Sequence, residues 1–296
     1  MTVIAHISDI HLAPLPPIRV RQLLNKRITG YLNWKHKRKD QMSPGSLNTL
    51  VNHLLYQRQD MTVVTGDLVN LSLNEEVEVA ARWLRKLGQP ERVCMVPGNH
   101  DAYVPGALRR ARDIYGPYAS GETLDANPYP FVRRAGDAAI VGCSSAIATP
   151  PFIAAGLFDQ QQADRLGKCL QVLGDAGYFR IVAIHHPPAK ENTRPWRKTL
   201  IGAKRFRQTI ATYGAEMVLH GHTHISSVHT IAGPGGRVPV IGVAAAANLP
   251  GSPAAPARYN LFHIDRLSHG WSCTMREFGY QRVGDDIVQR LQLRVH

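Results

Sequence analysis

Acidic residues are scarce in this chain. Asp and Glu number 22 against 35 Lys and Arg, a formal charge of +13 at neutral pH. The imbalance favours an anionic partner: a phosphate-bearing substrate, nucleic acid or an acidic membrane surface. A merely basic, solvated surface also accounts for it. Cysteine is scarce too. Cys94, Cys143, Cys169 and Cys273 are far apart and form no CxxC. Such spacing excludes a disulfide framework or a zinc knuckle, and they read as reduced core residues. No segment approaches the roughly 18 uninterrupted apolar residues of a membrane span. The N-terminus shows no basic stretch leading into an apolar one, so no signal peptide is expected. The expected location is cytoplasmic, with peripheral contact at the inner membrane surface as an option. No linker, repeat or low-complexity tract appears. One domain over 1–296 is expected, with a basic insertion at about 13–45.

What the chain does have is a series of short apolar segments that end in polar residues. Thr2 to Ser8, Met61 to Val64, Arg92 to Val96, Phe179 to Ile184 and Glu216 to Leu219 read as buried strands. Helices are expected at Leu47 to Tyr56, Glu75 to Leu87, Pro105 to Tyr115, Gln160 to Leu173 and Lys204 to Tyr213. Asn74 is the expected N-cap of the second. Phe131 to Arg134 and Ala138 to Cys143 read as a hairpin around Gly136-Asp137. This alternation argues for βαβ units and an α/β fold. Beyond residue 224 the helices stop. Ile225 to Ile231, Val238 to Val243, Tyr259 to Ile264 and Trp271 to Glu277 read as an antiparallel second sheet.

The strand exits carry the chemistry. Asp9 and His11 leave the first strand, Asp67 the second, and Asn99 and His100 the third. His185 and His186 leave a later strand, and His222 and His224 the last. Sheets of this class place their chemistry at such exits. In an extended segment, the spacing of His222 and His224 turns both imidazoles to one side. Any one exit is explicable as a turn. Together they offer oxygen and nitrogen ligands without a thiolate, a set suited to two divalent ions of the Mn, Fe, Co, Ni or Zn type. Asp67 stands alone at its exit and is the natural bridging carboxylate. The local sequence leaves the choice between His185 and His186 open.

The blocks DIH (Asp9 to His11), GD (Gly66-Asp67), GNHD (Gly98 to Asp101), HHPP (His185 to Pro188) and GHTH (Gly221 to His224) resemble, in order and spacing, the calcineurin-like metallophosphoesterase family. The resemblance implies a four-layer αββα sandwich of two mixed β-sheets flanked by helices. It implies one metal held by Asp9, His11, Asp67 and His224, and a second held by Asp67, Asn99, His185 and His222. Manganese, iron and zinc are the expected metals. His100 is expected to face the leaving group as donor or charge stabiliser. Asp101 is expected to orient His100, or else to cap the following turn.

The implied reaction is hydrolysis of a phosphodiester or pyrophosphate bond in a small nucleotide-type substrate. Protein phosphatases of the superfamily extend the second block with Asp-Arg-Gly and carry GNHE. Here Asp67 runs into Leu68-Val69-Asn70-Leu71 and the third block ends in Asp101. The blocks look like the bacterial branch that includes cyclic-nucleotide phosphodiesterases, so diesters are expected over monoesters. Lys26 to Trp34 is similar to a segment of bacterial relatives linked to lipid A synthesis, which cleave the pyrophosphate of UDP-2,3-diacylglucosamine. That substrate at a membrane surface is the alternative. Some family members lack intact metal sites and act as scaffolds, but every ligand position is filled here. No nucleic-acid-binding motif is present, so a nuclease ranks below a small-molecule hydrolase.

The insertion opens with Pro14, Pro16 and Pro17 and then turns basic and aromatic, with Arg19, Arg21, Lys26, Arg27, Tyr31, Trp34, Lys35, Lys37, Arg38 and Lys39 before the first acid, Asp40. Val20, Leu23, Leu24, Arg27, Ile28, Tyr31 and Leu32 approximate helical spacing. One expectation is an amphipathic helix packed by its apolar face on the body. The other is a lid or membrane-surface element beside the metals.

Overall fold

The computed structural model of the chain describes residues 1–38, 44–189, 195–250, 255–282 and 286–296, with side chains at all of them except 37 and 38. Lys39 of the insertion lies outside the described residues, as do Lys190 and Arg194 in the basic stretch that follows HHPP.

The strands, in chain order, are β1 (Thr2–Ile7), β2 (Met61–Val64), β3 (Val93–Met95), β4 (Phe131–Ala135), β5 (Ala138–Gly142), β6 (Gly156–Leu157), β7 (Phe179–Ala183), β8 (Leu200–Ile201), β9 (Met217–His220), β10 (Ser227–Gly233), β11 (Gly236–Gly242), β12 (Arg258–Arg266), β13 (Trp271–Gly279) and β14 (Val288–Arg294). The α-helices are α1 (Arg27–Asn33), α2 (Pro44–Tyr56), α3 (Asn74–Leu87), α4 (Ala107–Tyr115), α5 (Gln160–Asp175) and α6 (Ala203–Tyr213). One six-stranded sheet runs β14-β13-β12-β1-β2-β3, and a second runs β10-β11-β9-β7-β5-β4. Both are mixed. In the first, β1, β2 and β3 are parallel and β12 to β14 antiparallel. In the second, β5, β7, β9 and β11 are parallel, with an antiparallel strand at each end.

Three apolar cores separate four layers. Ile4, Val63, Phe131, Ile181, Leu219 and Phe262 fill the space between the sheets. Leu50, Leu54, Val77, Leu84 and Tyr115, from α2, α3 and α4, cover the outer face of the first sheet. Leu166, Leu170, Phe206 and Ile210, from α5 and α6, cover that of the second. Residues buried on both faces explain why the inner strands read as unbroken apolar runs. Each buried aliphatic side chain of this kind contributes about 1.5–3 kcal/mol.

Two expectations need correction. The strands after residue 224 do not form their own sheet: β10 and β11 complete the second, while β12, β13 and the unforeseen β14 complete the first. A period-2 pattern fixes which face a strand buries but not which strand it pairs with. Asn74 is also not the N-cap of α3. Leu73 holds that position, and the Glu76 carboxylate takes the backbone N–H groups of Asn70 (2.8 Å), Leu71 (3.0 Å) and Leu73 (3.0 Å). A carboxylate one turn in can reach back to the orphan donors of a helix start. Here it also fixes the 70–73 loop beside the site.

Candidate metal centre

The parallel strands β1, β2, β3, β7 and β9 all release their chains at one end of the sandwich. There the structure brings together Asp9, His11 and His224, and also Asp9, Asp67 and His185, each trio with ligand atoms within 4.8 Å of one another. Asp67 Oδ2 lies 3.3 Å from His185 Nε2 and 3.8 Å from His11 Nε2, between the two groups. Asn99 Oδ1 lies 2.9 Å from His222 Nδ1 and 3.2 Å from His185 Nε2.

The backbone at these positions is unusual. Asp9, His11, Asp67, His222 and His224 all have positive φ, between 40° and 67°. Left-handed backbone costs a non-glycine residue on the order of 1–3 kcal/mol and persists where the surroundings enforce it. It also corrects the expectation that His222 and His224 share one side of an extended segment. His224 Nε2 meets Asp9 Oδ1 at 3.1 Å, whereas His222 turns to Asn99. Glycines make the close approach possible. A Cβ on Gly98 would stand 2.2 Å from Asp67 Oδ1, and one on Gly221 would stand 1.8 Å from Ser8 Oγ.

Backbone carbonyls set the imidazoles. Nδ1–H of His11 donates to Val69 O (3.2 Å), Nδ1–H of His185 to Thr65 O (2.6 Å) and Nε2–H of His222 to Lys198 O (3.1 Å). A carbonyl can only accept, so in these three bonds the imidazole is the donor. Each bond turns the ring's other nitrogen inward, towards Asp67 for His11 and His185 and towards Asn99 Oδ1 for His222, as metal-binding histidines require. His186 differs. Nε2–H donates to Ala154 O (3.1 Å) while Nδ1 accepts from Ser145 Oγ (2.7 Å), so both its nitrogens are engaged elsewhere.

The result is a crowd of acceptors with too few protons. Burial alone would raise the Asp9 and Asp67 carboxyls. His224 beside Asp9, and His185 beside Asp67, outweigh it and hold both below the usual range. Burial opposes charge on His185, yet the Asp67 and Asp9 carboxylates lift it to about 9. His222 is held neutral by burial and by the neighbouring His186 and His185. Among the described residues, the buried Asp9 Oδ1 has no hydrogen-bond partner of good geometry, and His224 Nε2 at 3.1 Å meets it as a charge contact. Converging lone pairs of this kind fit divalent cations, and the nitrogen and oxygen donor set suits transition ions.

His100 stands at the edge of the cluster, its nitrogen within 4.8 Å of ligand atoms of His11 and Asp67. Its Nδ1–H donates to Asn70 O (2.6 Å) and its ring stacks on Tyr103. Asp101 turns to the backbone. Its carboxylate accepts from the backbone N–H groups of Asp67 (2.8 Å), Gly98 (2.8 Å) and Leu68 (3.1 Å), which pins the Asp67 turn. Burial and the Asp67 charge push Asp101 up to about 7.

A cavity of about 460 Å³ opens beside these residues. Asn70, Asn99, His100 and Tyr103 line its inner wall, and Lys26, Trp34, Phe152 and Arg197 its rim. Sequence reasoning missed Asn70 and Tyr103 as site residues. Asn70 acts through its carbonyl, which any residue carries, and Tyr103 gave no signal beyond its proximity to His100. The insertion reaches the rim, but not as an amphipathic helix with its apolar face inward. It is a 3₁₀ turn at Val20–Leu23, then the short α1, then a π-helical turn at Trp34–Arg38. No residue from 13 to 36 is buried, and Val20, Leu24, Ile28 and Leu32 are 48–79% exposed. It is tied down by Arg27, which donates to the carbonyls of Leu71 (2.8 Å) and Ser72 (2.6 Å), and by Lys26, which donates to Thr149 Oγ1 (2.7 Å) and Ile153 O (3.1 Å).

Among solved structures, a dimetal phosphatase from Danio rerio aligns with 97% of this chain and 98% of its own, with TM-score 0.64 and 14% identity. The sulfate thiohydrolase SoxB of Thermus thermophilus aligns over 99% of this chain and 56% of its own, with TM-score 0.52 and 14% identity. Both share the fold. In sequence, the glycerophosphodiester phosphodiesterase GpdQ of Enterobacter lignolyticus is 34% identical over 98 residues, a match that spans 33% of this chain and 29% of that protein. The profile of the calcineurin-like phosphoesterases matches residues 2–226, well over half of the chain and every strand exit described above, and the chain therefore belongs to this family of metal-dependent phosphoric ester hydrolases.

Proposed function

We propose that the protein hydrolyses a phosphodiester or pyrophosphate bond of a small nucleotide-type substrate at a dinuclear centre. Asp9, His11, Asp67 and His224 hold one ion in this reading, and Asp67, Asn99, His185 and His222 the other, with manganese, iron or zinc as the metal. The observation that carries it is the convergence of carbonyl-locked imidazoles on Asp67 Oδ2. Two such ions, when bound, polarise the phosphoryl oxygens and acidify a water for attack.

The chain's own groups do the rest. Asp67 would be the ligand common to both ions, and Asp101 keeps its turn in register. His100 occupies the passage between the metal cluster and the cavity. Its Nδ1–H is committed to Asn70 O, so the other nitrogen is the one that faces substrate. There it donates a proton to the departing oxygen or steadies its charge. Lys26 and Arg197 on the rim supply positive charge beyond the reacting phosphorus, and Trp34 and Phe152 supply apolar surface. Two kinds of wall fit a diester or diphosphate with a group on each side better than a bare monoester.

The exposed apolar residues of the insertion favour a second reading of the substrate. Val20, Leu24, Ile28 and Leu32 recur every four residues and face water beside Arg19, Arg21 and Lys35. That surface suits an acylated substrate such as UDP-2,3-diacylglucosamine, met at an anionic membrane. Hydrolysis by protein loaded with Mn, Fe or Zn separates the readings. Bis(p-nitrophenyl) phosphate, p-nitrophenyl phosphate, cyclic nucleotides and UDP-diacylglucosamine are the substrates to compare. A clear preference for p-nitrophenyl phosphate over the bis ester would contradict the diesterase reading.

A further inference from the structure

At the edge of the sandwich formed by β10 and β14 the two sheets part around a second cavity, of about 370 Å³. Ser226, Ser227, Arg258, Asn260, Glu277 and Arg290 give it a polar lining. Asn260 and Glu277 face each other across β12 and β13, and Arg258 is paired with the Glu277 carboxylate. Asn260 is 1% exposed, two residues before Phe262 on the face that packs between the sheets. An asparagine there would be expected to spend its amide on the protein. Yet neither Oδ1 nor Nδ2 of Asn260 has a hydrogen-bond partner among the described residues, and the same holds for Ser226 Oγ, Ser227 Oγ and Arg258 Nε. Buried polar groups in native proteins are satisfied almost without exception, so five such atoms around one cavity point to something that enters it.

The atoms define what that is. Arg258 Nε and Asn260 Nδ2 can only donate, the two hydroxyls can do either, and Asn260 Oδ1 can only accept. Arg258 is balanced by Glu277, which leaves Arg290 as net positive charge. The complement is a small molecule rich in acceptor oxygens, negatively charged, with at least one hydroxyl for Asn260 Oδ1. We infer that the cavity between β10 and β14 binds a small hydroxylated oxyanion, either a polyol phosphomonoester or a hydroxycarboxylate. Ser226 follows His224 by two residues, so the cavity begins close along the chain to the GHTH turn. The inference stands on this cavity alone and does not depend on the diesterase reading.

Calorimetric titration of the metal-loaded protein tests it with sn-glycerol 3-phosphate, glycerate, inorganic phosphate and glycerol as probes. Saturable binding is expected for glycerol phosphate or glycerate, about tenfold tighter than for phosphate or glycerol, because only these join a charged oxyanion and a carbon-borne hydroxyl in one molecule long enough to reach Arg290 and Asn260 together. The Ser226→Ala, Ser227→Ala double variant should weaken it about tenfold, and Asn260→Leu should abolish it. The serine pair lies partly exposed at a strand start and keeps the test open if the leucine variant does not fold. Asp67→Asn, which alters only the metal centre, should leave this binding unchanged. Absence of saturable binding overturns the inference, as does equal affinity for all probes or indifference to the serine pair. So does loss of the binding in Asp67→Asn, which would place it at the metals.

Discussion

The strand exits and the insertion that follows the first of them are built on opposite terms. At the exits, Asp9, His11, Asp67 and His185 are buried, the rings of His11 and His185 are fixed by carbonyls, and the backbone of Asp9, His11 and Asp67 is held in a conformation that a free chain avoids. In the insertion no described side chain is buried, and attachment rests on a few bonds from Lys26 and Arg27 and on partial packing of Leu15, Ile18 and Tyr31. Strain is sustained only where the surroundings over-determine it. The exits have two sheets behind them, whereas the insertion has one small apolar cluster. The division fits a molecule whose reaction is fixed by the sandwich and whose choice of substrate is left to a replaceable rim. The predictions below test whether the division holds, from the exits outward.

The largest effect belongs to Asp67, because its carboxylate stands between both groups of ligands. Asp67→Ala should lower kcat/KM by roughly 10⁴-fold, about 5.5 kcal/mol of transition-state stabilisation. Elemental analysis should find fewer than two ions per chain. Two retained ions would end the bridging assignment. His100 comes next. His100→Asn should lower kcat by about 10²–10⁴-fold, the usual span for a lost acid or base, while metal content stays near wild type. As an acid it matters less for p-nitrophenyl esters than for alkyl esters. An equal loss for both means charge stabilisation, and loss of metal means that His100 belongs to the ligand set.

The contrast between these regions also explains what was legible in the sequence. The ligand types and their order at strand exits could be read directly, because each exit is a local event: an apolar run, then a polar residue. The αββα layering came from the resemblance of the exit blocks to a known family, whereas the runs themselves argued only for an α/β fold. Pairing of β10 to β14 could not be read, since β1 takes β12 as a neighbour across most of the chain and no local pattern encodes that. The backbone bonds of Asp101 were out of reach for a related reason. It binds backbone N–H groups at residues 67, 68 and 98, and a backbone donor has no letter in the sequence. The insertion misled most. Its helical spacing is real, but Val20, Leu24, Ile28 and Leu32 turn to water because no described residue covers them.

Asp101 sets the boundary of the rigid region. An amide in its place has one acceptor oxygen and a pair of donors, and those donors would meet N–H groups. Asp101→Asn should therefore reduce metal affinity and kcat/KM together, by about 10–100-fold, the range for residues that orient a metal ligand. Wild-type metal affinity in this variant would show that the Asp67 turn keeps its shape without help.

The smallest effect on the chemistry, and the sharpest test of the division, lies in the insertion. Leu24→Asn and Leu32→Asn combined with Arg21→Ser and Lys35→Ser alter only exposed side chains. Surface changes of this kind usually stay within about 0.5 kcal/mol each, so the melting temperature should barely move. Hydrolysis of bis(p-nitrophenyl) phosphate should stay within about twofold, since none of these residues lines the cavity beside the metals. Binding to vesicles rich in anionic lipid is the quantity that should change. Each basic residue near such a surface is worth about 1 kcal/mol, so two lost charges alone weaken partitioning roughly 30-fold before the leucines are counted. Turnover of an acylated substrate presented in those vesicles should fall with it, while a soluble nucleotide substrate is spared. If wild-type protein ignores the vesicles and the variant matches it on every substrate, the exposed leucines serve no membrane. A fall in bis ester hydrolysis equal to the fall for the acylated substrate would mean that the insertion and the metal centre act as one unit.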